Sequence, residues 1–587
     1  MPPKKRPAGE DANGEEPKRR VAVTTSTGSS RAPSTSGTTA ATKAVSAPRS
    51  SASGASRPGT VRTAPKPGIR KVGAAALANR AKLAASPVVK KEAPPPIITK
   101  NSLMWFRNDL RLQDNRALHA ASLRAKAGDR KSVIALYIIS QSEWESHDEA
   151  PVKIDFWMRN LTELKRELEK LRIPLIVKEA TPKKDVIGLM ESTVKELEIS
   201  HVFWNAEYMV DEKKRDRAVR KALKKLPGVY VEEHEDQCVV PPGEMKTKAG
   251  NPFTTFEPFK IAWNTLVETN PHYLKLIEAP EANPMEAEQL YANYFDQSIR
   301  SSHPHSLDRD EIERLYPAGE EVAHERLRTF VEESLWRYHK IKDCPSEPGS
   351  SPLAPYLANG ILSARQCVAA ARASNNNKII IGNEGVRTWI KEIAWTEFYR
   401  QILFAFPKVC KNQAFQPNME IRWIFDDRKF LLWCQGKTGY PIVDAGMRQL
   451  NTQGFMHRRV RMVVACFLSK DLMLNWQMGE KYFMNNLIDG ELATNNGSWQ
   501  WCASTGADAH PLYRFPNPLL QSYKFDPEGD YIRQWVPELK SLNGKHIHDP
   551  FHSLSAKEFG KLGYPKPIVD HADAKKKYIE EYKRILT

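Results

Sequence analysis

From Ser102 onward the chain carries short blocks of consecutive apolar residues separated by longer amphipathic stretches. Leu103-Met104-Trp105-Phe106, Val133–Ile139, Ile173–Val177 and His201-Val202-Phe203-Trp204 have the length and composition of buried strands. Between them, Phe156–Leu171 and Val186–Leu197 repeat apolar residues every three or four positions, which predicts helices. Strand alternating with helix implies a parallel sheet. Residues 235–320 are mixed, with turns at Pro241-Pro242-Gly243 and Asn251-Pro252, and read as a connector. Beyond 320 the strand signals fade, and Val386–Phe406, Ile442–Asn451 and Phe455–Trp476 read as helices. The expected architecture is an α/β N-terminal domain with a parallel sheet (101–234), the connector, a large all-helical C-terminal domain (321–540) and a C-terminal extension (541–587). That extension, ending Lys575–Arg584, reads as one more helix or a tail. At 587 residues the chain is too long for a single core.

The first 100 residues break this pattern. They are rich in Ser, Thr, Ala, Pro and Gly, almost lack aromatics, and are expected to be disordered. They hold 19 Lys and Arg against 5 Asp and Glu, so +14 of the net +17 belongs to the tail and +3 to the other 487 residues. A nucleic-acid face on the folded part is therefore a local patch. Lys4-Lys5-Arg6 and Lys18-Arg19-Arg20 have the spacing of a bipartite nuclear-import signal, with a generic basic arm as the plainer reading. Residues 21–90, bearing Arg and Ser and almost no acid, also suit a mitochondrial presequence, against which Glu10, Asp11, Glu15 and Glu16 argue. The expected location is the nucleus, with the mitochondrion second. No apolar run reaches the ~20 residues of a membrane span, so a soluble protein is expected. The 7 cysteines form no C-x-x-C pair, which speaks against a metal centre or a disulfide framework. No G-x-G-x-x-G or P-loop opens a helix.

Asn495-Asn496-Gly497-Ser498-Trp499-Gln500-Trp501 reads as a polar loop holding two large aromatics. Flat rings there can stack on a flat ligand or simply fill core volume. Around it stand Arg107–Leu112 with Asp114-Asn115, Trp395–Arg400, Gly436–Leu450 and Asp489–Ala493. Together these motifs resemble the photolyase/cryptochrome family over residues 101–540. The likeness is to its class I cyclobutane pyrimidine dimer photolyases, and the tail resembles those of fungal members.

The resemblance implies light-dependent repair of pyrimidine dimers in double-stranded DNA by a monomer carrying FAD in the helical domain. The implied flavin site comprises Tyr338, Ser350, Ser351, Pro352, Leu353, Ala354, Trp389, Arg461, Asp489, Gly490, Glu491 and Asn495. The family usually has Thr-Ser-Arg/Lys-Leu-Ser where this chain has Ser-Ser-Pro-Leu-Ala; Pro352 removes a cation and an N–H, and Ala354 a hydroxyl. Asn495 matches the position facing flavin N5, where insect and plant cryptochromes differ. Trp499, Trp476 and Trp423 match an electron-transfer chain; three Trp in a helical domain can equally be core. The implied DNA contacts are Lys342, Glu392, Trp395, Tyr399, Arg458, Arg459, Met462, Trp501 and Arg514. A dimer must leave the stack to be reached, and Trp395 with Trp501 offers an apolar cleft for it. The family's (6-4) branch carries histidines at the positions of Arg458 and Met462; here only His457 stands nearby, so its acid/base chemistry lacks a carrier. His147, Asp211, Glu212, Cys410 and Lys411 match an antenna site for 5,10-methenyltetrahydrofolate, with a deazaflavin as runner-up. A photoreceptor without repair activity is the alternative of a different class. A flavin-free nucleic-acid binder would leave the whole pocket unexplained.

Overall fold

The computed structural model describes residues 100–127, 132–180, 185–347, 353–416, 421–509 and 514–586. The basic tail, Ser350, Ser351 and Pro352 lie outside the described residues.

Five parallel strands form the N-terminal sheet: β1 (Asn101–Phe106), β2 (Val133–Ile139), β3 (Leu175–Glu179), β4 (Ile199–Asn205) and β5 (Tyr230–His234), in the order β3-β2-β1-β4-β5. Helices α1 (Arg116–Ala127), α2 (Pro151–Lys170), α3 (Asp185–Glu196) and α4 (Val210–Leu223) make the crossovers. Side chains alternate across the sheet. Leu103 and Trp105 join Val186, Met190, Val219 and Leu223 of α3 and α4 on one face. Met104 and Phe106 point the other way, into a core shared with α1, α2 and the helical domain. The strand β5 is absent from the hydrophobic pattern. It is a half-buried edge whose Glu232 and Glu233 bind Arg124 and Arg220 at the surface.

In the helical domain α5 (Glu384–Ala405) is buried along most of its length. Its Glu397 accepts hydrogen bonds from the Val239 and Val240 N–H groups and from Trp263 Nε1 (2.6 Å), fixing the connector. There follow α6 (Asp427–Cys434), α7 (Pro441–Gln453), α8 (Arg458–Cys466), α9 (Trp476–Met484), α10 (Leu492–Cys502) and α11 (Pro518–Phe525). The Phe455–Trp476 run is therefore not one helix. It runs from Arg458 through a wide turn at Phe467–Asp471, then breaks at Met473, which adopts φ 51°. Asn475 caps α9 by accepting from Gln477 N (3.0 Å), which places Trp476 in its first turn. Beyond residue 541 the chain lies against the same core. Ile568 N donates to Thr438 O (3.0 Å), and α12 (His571–Leu586) is pinned by His571 Nδ1 to Asp471 Oδ1 (2.6 Å).

The Arg107–Leu112 motif works as a clasp between domains. Arg365, fully buried, reaches Asp114 (3.2 Å) in the β1–α1 loop and Asp236 (2.6 Å) at the head of the connector, where Arg111 also binds.

Candidate functional site

The stretch read as a polar loop is helix α10. Its amides are buried and find their partners within the protein instead of in water. Asn496 Nδ2 donates to Glu480 Oε1 (2.9 Å), and Gln500 Nε2 to Asn496 Oδ1 (2.8 Å). Asn495 and Trp499, four residues apart, share a helix face, and Trp501 lies on the opposite side. Asn495 Nδ2 donates to Glu480 O (3.0 Å), so the donor side of the amide is taken and Oδ1 remains as its acceptor. Trp499 is buried edge-on against Phe483 (5.0 Å) and Trp433 (6.1 Å). Trp433 and Glu480 carried no signal in the sequence, because nothing in their local spacing marks them. Gly497 is required by close approach, since a Cβ there would stand 2.2 Å from the Tyr399 ring of α5.

The residues implied for the flavin stand on several separate elements of the helical domain. Arg458 stands beside Tyr338 with 55 % of its side chain exposed. Tyr338 and Trp389 are buried on either side of Phe330 (5.8 and 5.0 Å). Arg461 Nη2 binds both oxygens of Asp489 (2.9 Å each), and its Nε donates to Met456 O (2.7 Å). Gly490 O accepts from the buried Lys153. Glu491 accepts from Arg400 Nε (2.6 Å) and Thr494 Oγ1 (2.6 Å), so its carboxylate is occupied by the scaffold. Leu353 is fully buried, and Ala354 opens a one-turn helix, Ala354–Ala358.

At the mouth, charges alternate. Lys342 Nζ lies 3.5 Å from Glu392 and 3.3 Å from Asp343. Arg458 pairs with Glu392, and Arg459 donates twice to Asp343 Oδ1 (3.0 and 2.7 Å). Glu392 is thus held by cations, and Asp343, unmarked in sequence, is the second anion. Trp395 stacks on Phe256 (3.5 Å between centroids, 9° between planes), another residue the sequence did not single out. Met462 Sδ lies 3.5 Å from Arg459 Nη1, and Met462 O meets the Cys502 thiol next to the half-buried Trp501. Arg514 is exposed. His457 is buried as the cap of α8, accepting from Arg459 N (3.2 Å). Burial holds its pKa down to about 4, so it is a neutral acceptor and not an acid.

Trp476 is buried and Trp423 half-buried. Both border a surface cavity of about 740 Å³ together with Arg422 and Thr505. From Trp499 through Trp476 to Trp423, indole exposure thus increases toward solvent.

Of the antenna residues, three converge. His147 Nδ1 is 3.3 Å from Glu212 Oε1, and the Cys410 sulfur faces the Val210 N–H at the start of α4. Asp211 pairs with Lys214 (3.2 Å) on the surface, and Lys411 is exposed. Glu212 is buried, and its Oε2 has no partner among the described residues. Burial, then neighbouring Glu207, pushes its pKa up to about 8. A doubly wound sheet takes flat ligands at its switch point, beyond the ends of β1 and β4. The pairs Arg107–Asp216 (3.0 Å), Asn205–Asp109 (2.6 Å) and Arg215–Glu207 (2.5 Å) stand there. Among the described residues no cluster of His, Cys, Asp or Glu could hold a metal ion, and no helix is long and apolar enough to cross a membrane.

Family models described as DNA photolyase and as the FAD binding domain of DNA photolyase match residues 102–281 and 389–584. A Neurospora crassa protein named deoxyribodipyrimidine photo-lyase is 41% identical over 522 residues, 86% of this chain and 84% of its own. A Vibrio cholerae protein of the same name is 40% identical over 82% of this chain and 99% of its own. The crystal structure of a class III photolyase from Agrobacterium tumefaciens superposes with a TM-score of 0.72 at 31% identity, covering 85% of this chain and 99% of that one.

Proposed function

The chain belongs to the DNA photolyase family, and from that premise we propose that it repairs cyclobutane pyrimidine dimers in DNA in a light-dependent reaction. When bound, FAD supplies the electron that opens the cyclobutane ring. The residues fit that cofactor. The Arg461–Asp489 pair offers it a fixed cation and carboxylate, and the clamped Asn495 amide a carbonyl acceptor. In this reading Asn495 Oδ1 accepts from the N–H of the reduced ring. Trp423, Trp476 and Trp499 relay electrons inward from the surface. Trp395 and Trp501 pack against the flipped-out lesion, and Arg458 and Arg459 hold the flanking backbone. No nucleophile or general acid is needed, in keeping with a neutral His457.

The single observation that carries the reading is helix α10. It joins a clamped amide, a buried indole and a half-buried indole within seven residues. The test is to illuminate the purified, flavin-reduced protein with dimer-containing duplexes. Light-dependent loss of dimers is expected. Persistence of the dimers under light would overturn the repair reading in favour of a photoreceptor.

We also propose a folate antenna. A buried Glu212 carboxyl with an open Oε2, beside His147, offers a pterin's polar edge a hydrogen-bonding partner. A near-ultraviolet band lost in Glu212→Ala, with flavin absorbance retained, is the expected result. The proposed protein is a monomer. Its proposed location is the nucleus, from the two basic clusters of the tail, with the mitochondrion second.

A further inference from the structure

The mouth of the site holds a ladder of alternating charge: Arg458, Glu392, Lys342, Asp343, Arg459. Three cations share two carboxylates, so the patch presents about one net positive charge instead of three. Asp343 is the centre of gravity. It binds Arg459 through two nitrogens at 3.0 and 2.7 Å and Lys342 at 3.3 Å. The pair is also seated, because the Arg459 guanidinium lies 4.7 Å over the Phe525 ring. We infer that Asp343 is a specificity-determining residue, withholding Arg459 and Lys342 from undamaged DNA and yielding them when a lesion engages Glu392.

The inference rests on the repair reading above. Phosphate affinity scales with the number of cations free to meet it; each neutralised phosphate contributes about 0.9 to the salt slope. An intact duplex sends no base into the pocket. Glu392 stays on Arg458 and Lys342, and backbone phosphates must compete with Asp343 for Arg459. A flipped lesion changes the first rung. When Glu392 turns to the lesion, Arg458 is released and Lys342 falls to Asp343 alone. Lys342, no longer shared with Glu392, draws more strongly on the Asp343 carboxylate and weakens its hold on Arg459, which then reaches the backbone. Lys342 is the coupling element, being within 3.5 Å of both anions.

The experiment compares wild type, Asp343→Asn and Asp343→Glu, all flavin-loaded. Each is titrated with one duplex sequence, with and without a single thymine dimer, between about 50 and 200 mM KCl. For Asp343→Asn, affinity for undamaged duplex should rise roughly five- to ten-fold at low salt, with a slope steeper by about one. Affinity for the dimer duplex should rise less than about two-fold, so discrimination falls. Asp343→Glu, with the carboxylate retained, should keep the wild-type ratio. Equal gains on both duplexes, or no gain on undamaged DNA, would overturn the proposal. So would a Glu variant that behaves like the Asn variant, since lost packing would then be the cause. Retained flavin absorbance shows that each variant is folded. If wild type itself has no preference for the dimer and clears none in light, the repair reading fails instead.

Discussion

Gly479→Ala is the sharpest probe of how Trp499 is held. A Cβ at residue 479 would stand 2.2 Å from Trp499 Cη2, and 2.6 Å from both Trp499 Cζ3 and Leu468 Cδ2. Those distances are far inside the ~3.5 Å at which carbon atoms rest. The indole cannot swing away, because Phe483 and Trp433 meet it edge-on and it is buried. Two terms oppose each other. Alanine in a helix interior is better than glycine by about 1 kcal/mol. Overpacking a filled core costs about 1–3 kcal/mol. The clash involves a rigid ring on two atoms, so the upper part of that range applies and the net loss should be of the order of 1–2 kcal/mol. The assay is urea unfolding followed by near-ultraviolet circular dichroism, comparing midpoints of wild type, Gly479→Ala, Trp499→Phe and the double variant. Phenylalanine lacks both clashing ring atoms, so the alanine should be tolerated in that background, with a coupling of about 1–2 kcal/mol. A Gly479→Ala midpoint at or above wild type, or an alanine cost identical in both backgrounds, would refute the account.

Two further outcomes follow from the same region. Glu480 is buried with Asn496 as its polar partner, and burial raises its pKa to about 7. A carboxyl raised on folding favours the fold while protonated; that contribution is complete below its unfolded pKa of ~4.5 and is lost as pH rises through about 7. Wild type should therefore lose on the order of 2 kcal/mol relative to Glu480→Gln between about pH 5 and 8; a constant difference in urea midpoints would contradict this. Trp423→Phe should remove most light-driven flavin reduction while leaving repair by chemically reduced protein intact, and an unchanged photoreduction rate would remove Trp423 from the relay.

The parallel sheet was legible because its strands are buried on both faces and so read as unbroken apolar runs. The strand β5 was not, since an edge strand alternates with charges that pair only across space, Glu232 with Arg124 and Glu233 with Arg220. The same physics hid α10. Asn495, Asn496 and Gln500 suggested a solvated loop, but Asn495 and Asn496 are held by Glu480, fifteen and sixteen residues away, and Gln500 accepts from Phe415 N, 85 residues away. The break before Trp476 had a local sign, the capping Asn475, which the surrounding apolar run overrode. Asp343 was invisible because its meaning lies in Arg459, 116 residues further on. Residues such as Asn495 and Arg461 were reachable through resemblance, whereas the way Glu491 is consumed by Arg400 was not.

The clasp of Asp114, Arg365, Asp236 and Arg111 has an optical consequence. Breaking it would leave buried charges uncompensated, so the two lobes do not hinge on the timescale of an excited state. If the proposed folate sits at Glu212 and the flavin at Asn495, the clasp fixes the length of the gap between the two chromophores and their mutual orientation.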